Sequence, residues 1–159
     1  MSQMKRIEKD NDVRLANALY LSEKLKEIPG IIPVKPANGA TRAVYHMYPF
    51  RYVKEQFNNI PKDRFIRALN AEGIPCSGGY GKQNRDGLIE EQLTSKGYKR
   101  LFSESRLNRW REENQLPGND LLSDQAVTFY QSLLLGTRSD MDDIVNAITK
   151  VYENRNLLG

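Results

Sequence analysis

Few residues in this chain have the type and spacing to do chemistry, and the best of them gather at one tripeptide. Gly78-Gly79-Tyr80 follows the run from Ile74 to Ser77, which reads as a short strand. Paired glycines at a strand exit let the backbone turn without Cβ restrictions and bring bare peptide groups close to a ligand. Tyr80 is delivered at that exit as a phenol on a glycine hinge. His46 is the single histidine. It could face a substrate or cofactor from a sheet edge, or lie half-buried against a backbone carbonyl, and the second reading is favoured. Arg42 could clamp a carboxylate through two parallel N–H bonds, or merely flank the strand that follows it. Cys76 falls mid-strand, where a lone cysteine behaves as a small hydrophobe.

Other chemistries find no support. One histidine cannot build a His-rich metal site, and the chain has neither a P-loop nor a G-x-G-x-x-G run. The densest basic patch, Arg106 to Arg111 around Trp110, is followed at once by Glu112 and Glu113. The net charge is only +4. A nucleic-acid reader concentrates positive charge on one face, so nucleic acid is disfavoured and Trp110 reads as packed. Cys76 is the only cysteine, which excludes an intrachain disulfide and suits a cytoplasmic protein. No apolar run approaches the ~18 residues of a membrane span. Met1 to Asp12 is polar and lacks the apolar core of a secretory signal.

These residues have to be held by secondary structure, and 159 residues are most simply one domain. Arg14 to Ile28 predicts a helix with Leu15, Ala18, Leu19, Leu25 and Ile28 inward, stopped by Pro29-Gly30. Met1 to Asp12 either extends it or frays. Arg42 to Tyr52 predicts the longest strand, with Val44, His46, Tyr48 and Phe50 on one face, and with an unpaired side or a bulge at Pro49. Pro61 to Leu69 predicts a helix with Phe65, Ile66 and Leu69 inward and a left-handed cap at Gly73. Short helices broken near Gly97 are expected from Leu88 to Arg111, and a turn at Leu116-Pro117-Gly118. A strand with Val127, Phe129, Gln131 and Leu133 alternating should end at Gly136. The last helix should open on Ser139 with Asp142 as its capping partner, and carry a stripe of Met141, Ile144, Val145, Ile148, Val151 and Tyr152. The order predicts an α+β fold: an antiparallel sheet of three or four strands with helices on one face.

Four segments, in order, resemble the C-terminal part of the DegT/DnrJ/StrS family of pyridoxal-phosphate-dependent sugar aminotransferases. They are RLANALYLSEKLKEIPGI (Arg14 to Ile31), YHMYPFRY (Tyr45 to Tyr52), RFIRALNAEGIPCSGGY (Arg64 to Tyr80) and LLLGTRSDMDDIVNAITKVYEN (Leu133 to Asn154). The third is the most specific. After Tyr80 the chain departs from the pattern: Gly81 is followed by Lys82-Gln83-Asn84 where many relatives carry Pro-Leu-Asn.

The resemblance implies the small domain of a fold-type-I enzyme. In the family a large domain holds pyridoxal phosphate and its Schiff-base lysine, and nothing in this sequence resembles that lysine's motif. What the family implies for this chain is therefore a lid that shapes the substrate pocket, with no catalytic residue and no coenzyme bound by this chain alone. By position its substrate-facing residues are His46, Tyr48, Gly79 and Tyr80, and less directly Arg42. The implied partners are a large aminotransferase domain or partner chain, and a nucleotide-sugar or cyclitol substrate. A stand-alone binding or association module, including a homodimer, is the alternative.

Overall fold

Three strands pair in the order β1 (Ile31–Pro33), β2 (Met47–Tyr52) and β3 (Ala126–Tyr130), all antiparallel, in a computed structural model that describes residues 3–158. A proline sits in the central strand, and the ladder shows how it is tolerated. Thr128 of β3 exchanges both of its peptide hydrogen bonds with Ser77, at 2.9 and 3.1 Å. Its N–H and C=O therefore point away from β2, and Pro49, directly opposite, needs no donor on that side. On its other side Pro49 accepts from the Val34 N–H at 3.4 Å and cannot return the bond. Pairing with β1 stops there, at Pro33.

The expected fourth strand is present only as that Ser77–Thr128 bridge. The strand expected from Arg42 begins instead at Met47. Residues 42–46 are irregular and Val44 is exposed, so the aromatic and β-branched run is longer than the pairing available to it.

The chain divides into two units, one reaching Gly79 and resuming at Gln125, the other Tyr80–Asp124. The first holds the sheet with α1 (Ile7–Leu25), α2 (Lys62–Ala71) and α7 (Arg138–Glu153). Tyr48, Phe50 and Tyr52 of β2 and Val127 and Phe129 of β3 all turn to one face and are buried. The rings form two groups: Tyr48 on Phe129 and Phe129 on Phe50, and then Tyr52 stacked on Phe65 at 4.3 Å with Phe57 edge-on to Phe65 and Tyr152. Phe65 and Leu69 of α2 and Met141, Ile144, Ile148 and Val151 of α7 close this core. The α7 stripe matches its expected spacing. In α2 Ile66 is only half-buried.

Two caps are informative. Gly73 has φ +85°, and the Ile74 N–H reaches Leu69 O at 3.0 Å while the Gly73 N–H reaches Asn70 O at 3.1 Å. The left-handed cap expected at Gly73 is thus present, and the structure adds two hydrogen bonds that close it. The α7 cap lies two residues earlier than expected: Thr137 and Asp140, not Ser139 and Asp142, form the reciprocal box. Both pairs share a hydroxyl and an acid at the same spacing. Asp142 is instead used by Tyr20, whose hydroxyl donates to it at 2.5 Å.

Helix α1 differs most from its sequence pattern. It begins at Ile7, and its buried face is Asn11, Arg14, Asn17, Ala18, Leu21 and Leu25. Leu19, expected inward, is 52 % exposed, and Leu15 is half-buried. The reason is Asn17. Its amide donates to Leu134 O and to Gly136 O, both at 2.9 Å, satisfying carbonyls of the turn Leu133–Leu135 that follows β3. That turn replaces the strand expected to run on to Gly136. A buried amide that finds two acceptors outweighs the tendency of nearby leucines to face inward.

In the second unit, α3 (Gly87–Thr94), α4 (Lys96–Leu101) and α5 (Glu104–Glu113) are capped by side-chain oxygens of Asp86, Ser95 and Ser103. The break expected near Gly97 falls at Ser95, whose hydroxyl caps α4, with Gly97 itself inside that helix. Pro117 opens α6 (Pro117–Gln125) where a turn was expected, a first-turn position at which proline loses no bond.

Replacing Asn17 by leucine should lower the unfolding free energy by about 2 kcal/mol, because two carbonyls lose their donor. Urea denaturation of the two proteins reads this directly, and an unchanged midpoint would show that the Asn17 bonds do not hold α1 in place.

Candidate functional site

The register that sends five apolar residues to the core sends their neighbours to the opposite face. Tyr48 pairs with Phe129 and Phe50 with Val127. Hence Met47, Pro49 and Arg51 of β2 share the other face with Ala126, Thr128 and Tyr130 of β3. Ser77 joins this face at the β3 edge, its Oγ 3.1 Å from Thr128 Oγ1. Gly79 follows with φ +71°. A Cβ there would lie 3.3 Å from Thr128 Cγ2, so glycine suits both the backbone angle and the space. The result is a corner with the half-buried Ser77 hydroxyl and an exposed, side-chain-free peptide at Gly79, backed by Thr128, which is buried with its hydroxyl on Ser77. Such a corner can donate and accept hydrogen bonds to a polyhydroxylated ring, but supplies no nucleophile.

The residues singled out in the sequence are not gathered at this corner. Tyr48 is on the core face, 1 % exposed, with its hydroxyl 2.9 Å from Ser22 Oγ of α1. It and Gly79 therefore lie on opposite faces of the sheet. Burial pushes the Tyr48 phenol up to about 12. His46 occupies a bend just before β2 and is exposed. Arg42 does make a two-pronged contact, but within the chain: Nη1 to Glu8 at 2.6 Å and Nη2 to Asp12 at 2.8 Å. This ties the loop before β2 to α1. Tyr80 is the first residue of the second unit and is 68 % exposed. Cys76 is buried and its thiol is pushed up to about 11 by that burial, as a packed, unreactive cysteine should be.

Sequence reasoning missed the Ser77–Thr128 hydroxyl pair. A signal for half of it was present: Thr128 lies between two inward apolar residues, so its hydroxyl has to face the other way. Ser77 gave no comparable signal, because its partner lies 51 positions away.

Among the described residues no group of three or more His, Cys, Asp or Glu side chains is placed to hold a metal ion. A Schiff-base lysine needs a desolvated amine. None of the eleven lysines is buried, and Lys26, Lys82 and Lys150 are engaged by Glu23, Asp124 and Glu72 respectively. The described residues thus do not fit the attachment of pyridoxal phosphate.

A family model described as the DegT/DnrJ/EryC1/StrS aminotransferase family matches residues 1–100. An L-glutamine:2-deoxy-scyllo-inosose aminotransferase of Streptoalloteichus tenebrarius is 29 % identical over 160 residues, which span 97 % of this chain and 36 % of that protein. The crystal structure of 3-amino-5-hydroxybenzoic acid synthase superposes with a TM-score of 0.71 at 20 % identity, over 96 % of this chain and 36 % of that one. The aminotransferase from Psychrobacter cryohalolentis superposes with a TM-score of 0.63 at 23 % identity, over 97 % and 37 %. The chain therefore spans about a third of the length of the relatives it matches, and its fold is that of the corresponding region in them.

The buried Tyr48 hydroxyl makes stability sensitive to alkali. Its folded pKa lies above the ordinary value of 10, so its share of stability is full below pH 10 and is lost as pH rises toward 12. Cys76 acts with the same sign from its ordinary 9 to about 11. Urea midpoints should fall between pH 9 and 12, with the buried Tyr52 phenol, likewise pushed up by desolvation, acting with the same sign at the upper end, so Tyr48→Phe should remove part of the decline above pH 10. An identical profile in the variant would rule out Tyr48 as its source. Separately, Gly79→Val should destabilise by about 1 kcal/mol or more through its positive φ, whereas Gly81→Val, with open space around it, should change stability by less than about 0.5 kcal/mol.

Proposed function

Because this chain belongs to the DegT/DnrJ/EryC1/StrS aminotransferase family, we propose that it forms the substrate-pocket domain of a pyridoxal-phosphate-dependent enzyme that aminates a sugar or cyclitol. The observation that carries this reading is coverage. Nearly all of the chain aligns, and it aligns to only 36 % of an L-glutamine:2-deoxy-scyllo-inosose aminotransferase. The coenzyme, when bound, supplies the electron sink for amino-group transfer. Its lysine and phosphate site come from a large domain, carried elsewhere in the polypeptide or on a partner chain.

The work of this chain is then recognition. The corner offers the Ser77 hydroxyl and the Gly79 peptide to a ring rich in hydroxyls, with the buried Thr128 hydroxyl orienting Ser77. Tyr80 follows it directly in sequence, and His46 and Arg42 precede β2. Of these six we assign Ser77, Gly79, Thr128, Tyr80 and His46 to the pocket, and Arg42, held by Glu8 and Asp12, with Tyr48, holding β2 against α1, to its support. The setting is cytoplasmic and the chain alone is inactive.

Association with a partner has its own support. Beside the edge strand β1 lies a cleft of about 620 Å³ whose lining includes Leu19, Ile32, Val34 and Tyr45. Leu19, Ile32 and Val34 are each more than 40 % exposed. Apolar surface of this kind, rimmed by Glu23 and Lys26, suits contact with another domain or chain.

The test is to add pyridoxal phosphate to the purified chain, record the visible absorbance of a lysine-bound coenzyme, and reduce with borohydride. The chain alone should give no borohydride-sensitive band. Amination of a scyllo-inosose with L-glutamine should appear only when a large domain is supplied. A borohydride-sensitive band on the chain alone, lost on replacing one of its lysines, would overturn the proposal.

A further inference from the structure

The second unit contains a cavity that the reading above does not use. It has a volume of about 220 Å³ and lies between α3, α4 and α5. Leu93 and Leu107 are its buried lining residues, each 5 % exposed. Tyr98, Phe102 and Trp110 supply partly exposed rings, the first two with centroids 5.6 Å apart and planes tilted at 46°. Arg106 lines the same cavity. It precedes Trp110 by four positions, so the helix puts the cation and the indole on one side of α5.

The charge pattern of α5 singles out Arg106. Arg109 is taken by Glu113 at 2.6 Å, and Arg111 by Glu90 at 2.7 Å. Among the described residues no acid is recorded within ion-pair distance of the Arg106 guanidinium, although Glu112 and Glu113 share its helix. A cation left at an aromatic cavity while its two neighbours are paired suits an incoming anion. The lining suits a flat apolar body, which the rings can stack on and the leucines can enclose. The volume is below the roughly 300–1,000 Å³ of pockets for drug-sized ligands, so the ligand is small.

We propose that this cavity binds a small planar aromatic anion, its ring between Tyr98, Phe102 and Trp110 and its acidic group on Arg106. The aromatic faces account for shape selection, and the guanidinium accounts for the preference for an anion over a neutral ring of the same size. This proposal does not depend on the aminotransferase reading, because it rests on the second unit alone.

Trp110 is the only tryptophan, so the site reports on itself. The probes are 2,4-dinitrophenolate, a small planar aromatic anion that absorbs where Trp110 emits, and its uncharged counterpart 2,4-dinitroaniline, added to the full chain with excitation at Trp110. The anionic dye should bind saturably with energy transfer from Trp110, and Trp110→Phe should abolish the transfer. Arg106→Gln should weaken the anionic dye about fivefold, the size expected of a partly exposed charge-assisted contact, and leave the neutral dye unchanged. Arg109→Gln, whose parent side chain is paired elsewhere, should leave both unchanged. Equal affinity of wild type and Arg106→Gln for the anionic dye, or binding without transfer from Trp110, would overturn the proposal. Arg106 is exposed, so its substitution leaves the fold intact.

Discussion

A single buried amide keeps the sheet and its helices in one arrangement. Asn17 of α1 gives both of its protons to carbonyls of the turn after β3, at Leu134 and Gly136. Those carbonyls have left the sheet and have not yet entered α7, so a donor reaching them from outside the backbone settles them. Once Asn17 is placed, the neighbouring turn of α1 brings Ser22 to Tyr48 of β2 and Tyr20 to Asp142 of α7. One helix is thereby tied to the central strand, to the link out of β3 and to the last helix. The apolar contacts are far larger in area, but they are not directional and could be made at several rotations of α1. The hydrogen bonds select one.

That selection decides which face of the sheet turns away from the helices. With α1, α2 and α7 over Tyr48, Phe50, Tyr52, Val127 and Phe129, alternation assigns Thr128 and its neighbours to the other side. Gly79 then reaches Thr128 because Ser77 pairs with it, and the positive φ of Gly79 turns the chain out immediately afterwards. The corner of hydroxyls and bare peptide is thus a consequence of core packing on the far side. The proline in β2 fits the same scheme, since its missing donor falls at the end of β1 where the ladder stops.

Much of this was legible in the sequence where one local signal acted alone. The α2 helix, with Pro61 before it, Phe65 and Leu69 inward and Gly73 ending it, and the apolar stripe of α7 follow from spacing and cap chemistry within a dozen residues. The single Ser77-Gly78-Gly79-Tyr80 after a strand-like run marked the exit at which the corner forms. Legibility failed where two local answers were equally good. Thr137 with Asp140 and Ser139 with Asp142 are both sound capping pairs, and the choice between them depends on Asp142 being needed by Tyr20. The α1 stripe was read through leucines, and Leu19 was placed inside, because nothing near Asn17 announces that its acceptors lie 117 and 119 positions away.

The sequence by itself determined the elements whose stability is local: where α2 and α7 lie, that the sheet is antiparallel with helices on one side, and that a glycine-backed exit precedes Tyr80. Tertiary structure alone decided how far β2 and β3 run, which side of α1 is buried, that Tyr48 faces the core while Gly79 faces away from it, and that Thr128 and Ser77 share a corner. The physical reason is range. Helix spacing and capping are settled by groups within about four residues of each other, whereas strand ends and buried polar partners are settled by whichever distant peptide arrives to complete the bond.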